Sequence, residues 1–95
     1  MFLILLQYIR PITAIDHYME AHQAFLDKYY QSGHFIFSGK RHPRTGALIL
    51  CHAKNLREVE AIISEDPFDQ NSLVMYDIIE FQPTQCVSGI EEFLS

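Results

Sequence analysis

Five histidines, two cysteines and twelve carboxylates carry the acid–base or nucleophilic chemistry open to this chain of 95 residues. No CxxC, HxxxH or HExxH spacing is present, which speaks against a dedicated metal site. No GxGxxG or GxxxxGK[ST] loop is present to cradle a phosphate. His22 is the most informative residue. It sits in the middle of an apolar helical stripe, one turn from Tyr18 and Met19 and one turn from Phe25 and Leu26. A helix built only for packing would carry leucine there. A buried imidazole without a hydrogen-bond partner costs about 1–3 kcal/mol. Two readings stay open: a core histidine bonded to a backbone carbonyl, or an acid or base at the edge of a pocket.

Asp66 is the second candidate. It reads as lying just past the C-terminal end of a helix, where the macrodipole disfavours a carboxylate. An Asp-Pro turn is one explanation. A carboxylate that orients a histidine and stabilises its protonated form is the other. Spacing alone does not bring Asp66 to His22. The remaining histidines are weaker candidates: His17 on a polar helix face, His34 at a strand start, His42 in a charged loop, His52 beside Cys51. Gly39–Arg44 is a basic segment in an acidic chain. It reads as a solvated hairpin loop, or as a mobile arm whose basic residues, Arg41 among them, draw an anionic substrate to the pocket mouth.

These residues need a frame. Phe2 to Ile9 is an apolar, β-favouring run that ends at Arg10-Pro11. Thr13 is a candidate helix cap, with Asp16 as a weak capping box. The helix then runs to Gly33. His34–Ser38 and Ala47–His52 read as strands of an antiparallel hairpin, joined by the long polar loop 39–46. Asn55 caps a second helix, with Glu58 in the box position and a stripe of Leu56, Val59, Ile62 and Ile63. That helix stops at Asp66-Pro67. Leu73 to Phe81 is the last strand. Residues 88–94 read as a short helical turn. The order β-α-β-β-α-β predicts an α+β ferredoxin-like protomer, a four-stranded antiparallel sheet with two helices on one face. The first and last strands are apolar on both faces, so the second face needs a cover. A second copy of the chain is the simplest one, which predicts a homodimer packed sheet to sheet.

Composition sets outer limits. Ninety-five residues make one domain, with a core over about 1–82 and a tail over 83–95. Seven basic against twelve acidic residues give net −5, which argues against a nucleic-acid or anionic-membrane partner. The run Met1–Leu6 is far below the roughly 20 residues of a membrane span and lacks the marks of a signal peptide. Cys51 and Cys86 form no disulfide framework and read as reduced thiols of a cytoplasmic protein.

Three features in order resemble the YciI-like family of small bacterial proteins. They are the strand Phe2–Tyr8 at the extreme N-terminus, the run from His22-Gln23-Ala24-Phe25-Leu26 through Phe37-Ser38-Gly39, and the turn Asp66-Pro67-Phe68. The resemblance covers the chain to about Phe81. It implies a dimeric α/β barrel of ferredoxin-like protomers and a His-Asp pair, His22 and Asp66, in a cleft near the dimer interface. The family looks related to muconolactone isomerases, and one branch looks like a dehalogenase of chlorinated muconolactones. The tail after Pro83 extends past the family's usual end.

Two functions from different classes follow as expectations. One is a cofactor-free enzyme that uses His22 and Asp66 for acid–base chemistry, of isomerase, lyase or dehalogenase type, on a small anionic organic acid or lactone. Tyr8 and the Ser38-Gly39 backbone would contact the substrate or a developing oxyanion. The other is a non-catalytic dimeric module that binds a small metabolite or a protein, with His22 as a buried polar anchor. A haem-dependent or cofactor-free monooxygenase is a third possibility that related dimeric barrels suggest.

Overall fold

The computed structural model describes residues 1–94. Strand β1 (Phe2–Tyr8) opens the chain and is followed by helices α1 (Ile12–His17) and α2 (Met19–Gln31). Strands β2 (Phe35–Lys40) and β3 (Gly46–Cys51) form the hairpin. Helices α3 (Leu56–Ile63) and α4 (Pro67–Gln70), strand β4 (Val74–Glu80) and the short α5 (Glu91–Leu94) complete it. The sheet order is β2-β3-β1-β4 and every pairing is antiparallel, so the architecture is the expected α+β one. β1 sits in the centre, paired from Phe2 opposite Cys51 on one side and from Phe2 opposite Glu80 on the other.

The period-two alternation of β1 turns Phe2, Ile4 and Leu6 into the core. There they meet Ile15, Phe25 and Tyr29 from α1 and α2, Val59, Ile62 and Ile63 from α3, and Phe68 from α4. Gly46 starts β3 where a side chain has no room: a Cβ there would lie 1.9 Å from the Leu6 carbonyl oxygen. Gly33 ends α2 at φ +84°, the left-handed conformation glycine adopts without strain.

Several local expectations need correction. The first helical stretch is broken at Tyr18 (φ −104°, ψ 8°), and Pro11, not Thr13, stands at its start. The proline side chain has no acceptor, so no side-chain cap is made there. Leu56, expected on the apolar stripe, is 46% exposed, while Val59, Ile62 and Ile63 pack inward. The hairpin is tighter than expected. β2 runs on to Lys40 and β3 starts at Gly46, with a bulge between Phe35 and Phe37. Asp66 does more than end a helix: its carboxylate caps α4, accepting from the Phe68 N–H at 2.9 Å, with Pro67 at the first helical position. A capping carboxylate lies at the favourable end of a helix, so the expected dipole penalty is offset.

The other face of the sheet carries half-buried Leu3 and Leu5 beside Met75 (60% exposed) and Ile79 (45%). Part of this face is covered by the tail. Leu50 is buried, and it shares a groove with Phe81, Pro83, Cys86 and Ile90.

Candidate active site

α2 delivers His22 to the core side of its stripe, and the α3–α4 corner delivers Asp66. The corner is fixed by the chain itself. The Asp66 N–H bonds to the Ile63 carbonyl at 2.9 Å, and the Asp66 carbonyl accepts from Asp69 and Gln70. It is also fixed from α2: the neighbouring Glu65 accepts from Lys28 Nζ at 2.5 Å and from the Tyr29 hydroxyl.

The two candidates meet. His22 Nδ1 and Asp66 Oδ1 are 2.8 Å apart, with His22 5% and Asp66 0% exposed. The backbone N–H of Phe68 donates to the same oxygen at 2.9 Å, and the Tyr76 hydroxyl donates to Asp66 Oδ2. The His22 ring stacks on Phe68 with centroids 4.0 Å apart and planes 5° from parallel. In the neutral ring, with Nδ1 donating to the carboxylate, Nε2 carries the lone pair. Among the described residues nothing hydrogen-bonds to Nε2, and no buried polar side-chain atom is left without a partner. The ring forms one wall of a cavity of about 160 Å³. Tyr8, Met19, Leu26, Ser38, Gly39 and Lys40 are among its other walls.

The family model of the YCII-related domain matches residues 1–82. The chain belongs to the YCII-related family. Among solved structures it is similar to 5-chloro-2-hydroxyhydroquinone dehydrochlorinase from Burkholderia phenoliruptrix AC1100, in complex with 2,5-dihydroxybenzoquinone. The TM-score is 0.71 at 18% identity, over 85% of this chain and 93% of that one. At that identity the likeness is one of fold. No curated protein matches the sequence.

Of the residues singled out in this YCII-related chain, His22, Tyr8, Ser38 and Gly39 share one cavity, and Asp66 lies behind His22. Arg41 does not join them. Its groove is a separate one, with Leu5, Gln7, Met75 and Asp77. The reason is strand alternation: Ser38 and Lys40 point to the cavity, and the next residue points away. Lys40 is therefore the basic side chain at the cavity, and it makes no ion pair among the described residues. The loop's other arginine, Arg44, pairs with Asp16 of α1 at 2.6 Å.

Tyr76 was missed by sequence reasoning as a site residue. Its signal was there: it shares the inward face of β4 with Val74 and Ile78, and a phenol on such a face needs a partner. Burial, and after it the Asp66 charge, push its phenol far above the ordinary range, so the hydroxyl remains a donor. Cys51 is buried and its thiol is pushed up to about 11, chiefly by that burial, which makes it a poor nucleophile. Among the described residues no three His, Cys, Asp or Glu side chains gather as a metal site. No helix among them is long and apolar enough to cross a membrane.

Proposed function

We propose that this protein is a cofactor-free acid–base catalyst acting on a small anionic organic acid or lactone. One observation carries the reading: a buried histidine held by a buried carboxylate at 2.8 Å through one ring nitrogen, in a ring that walls a cavity. In this reading His22 Nε2 takes a proton from a carbon next to a carbonyl. Asp66 keeps the Nδ1–H tautomer and offsets the charge of the imidazolium that forms. The proton then returns to another atom of the substrate, an isomerisation, or the electron pair left behind expels a leaving group such as halide.

Other features fit this reading. A cavity near 150 Å³ takes one six-membered ring, so the 160 Å³ here suits a single cyclic acid. The Lys40 ammonium, without an ion-pair partner among the described residues, supplies the charge for an anionic substituent. Tyr8 and the Ser38-Gly39 edge would contact the substrate. The structural neighbour is named for a dehydrochlorination and holds a small ring compound. We further infer a homodimer with a second copy against the outward sheet face, and a cytoplasmic setting suited to the two free thiols.

The test is turnover. The purified protein is offered a panel of enolisable cyclic acids, lactones and halogenated hydroxyarenes in deuterated water, with NMR following both product and deuterium uptake at carbon. Conversion or exchange of one class supports the reading. Saturable binding of a panel member without either would favour a non-catalytic binding module.

A further inference from the structure

Asp66 has three donors on its two carboxylate oxygens. Oδ1 receives the His22 Nδ1–H at 2.8 Å and the Phe68 N–H at 2.9 Å. Oδ2 receives the Tyr76 hydroxyl. The first two hold one oxygen from α2 and from the chain next to Asp66 itself. The third holds the opposite oxygen from a different element, so it adds a second anchor against rotation of the carboxylate about its Cβ–Cγ bond. Tyr76 comes from β4, whereas His22 comes from α2 and Asp66 from the α3–α4 corner. The tyrosine therefore ties the pair to the sheet. It does not line the cavity that His22 faces.

We propose that Tyr76 is a positioning residue, which sets the angle of the Asp66 carboxylate and through it the orientation of the His22 ring. The role deepens the acid–base reading in its kinetic consequence, while its geometric part stands without any substrate. Because Tyr76 keeps its proton across the working pH range, the lock does not open by ionisation. Tyr76→Phe removes the hydroxyl and keeps the ring that packs against the core.

The first readout is the His22 Nδ1–H proton, which in the wild type should give a resolved downfield resonance from a proton held between ring and carboxylate. In Tyr76→Phe, with cooperative thermal unfolding intact, that resonance should be lost to solvent exchange. A resonance unchanged in position and width would overturn the proposal. A second measurement needs no variant. The Tyr76 ring carbon beside the hydroxyl should show no titration through about pH 10, where an ordinary phenol ionises. Ordinary titration would overturn the proposal even if the variant fails to fold. On any substrate the panel finds, kcat should fall about ten- to a hundredfold, the size of one hydrogen bond to a charged group, with KM unchanged. A rise in KM at constant kcat would place Tyr76 in substrate binding instead and also overturn the role. Failure of the panel would count against catalysis and leave both NMR results standing.

Discussion

At the scale of single residues, what the sequence makes visible is polarity in the wrong place. His22 stands out because leucine would have packed better, and it is paired at 2.8 Å to the other residue that stood out, Asp66. The reason for Asp66 is different from the one its position suggested. The carboxylate caps α4, a helix of four residues too short to leave a periodic signal, although Asp-Pro is itself a start signal. Arg41 and Lys40 could not be told apart in sequence, because one residue of strand length decides which faces the cavity. That choice is testable. Lys40→Ala should raise KM for an anionic substrate about fivefold and leave kcat nearly unchanged, as expected for an exposed charge contact worth about 1 kcal/mol. Arg41→Ala should change neither. Steady-state kinetics on the two variants separates them, and the reverse pattern would return Arg41 to the site.

At the scale of elements, caps and stops were legible where a side chain performs them. Asn55 accepts from the Glu58 N–H at 2.9 Å, and Gly33 ends α2. The break at Tyr18 was not legible, since the apolar stripe runs through it with its period intact. Nor does a pattern show what aligns α2 with the α3–α4 corner, because no periodicity pairs Lys28 and Tyr29 with Glu65, 37 and 36 positions away. Their contact is an ionic clamp one residue from Asp66. The Lys28 hydrogen bond, followed by that of Tyr29, holds the Glu65 carboxyl below its ordinary value of 4.5. Its folded value is thus lower than its unfolded one. The clamp contributes stability above pH 4.5 and loses it as pH falls through the lower folded value. Both partners are largely exposed, so solvent screening keeps the contribution small. Urea unfolding should show Glu65→Gln less stable than wild type at neutral pH and the gap closing in acid. A gap that widens in acid would contradict the sign.

At the scale of the whole molecule, the element order already implied the sheet and its helical cover, because β-α-β-β-α-β has few ways to pair antiparallel strands. What lies on the second face was only half legible. The tail covers Leu50, while Met75, Ile79 and Phe37 stay exposed on or beside it. A second copy on that face should give sedimentation at twice the 11.1 kDa chain mass at micromolar concentration. A compact monomer would leave the face to another occupant. The molecule's central feature remains His22, paired to Asp66 through Nδ1 and lining the cavity. The most direct measurement is kcat/KM of wild type against His22→Gln on the substrate class that the panel identifies. Loss of about 100- to 10,000-fold, with cooperative thermal unfolding intact, is the predicted result. Equal kcat/KM in the two proteins would contradict the account and remove His22 from the chemistry.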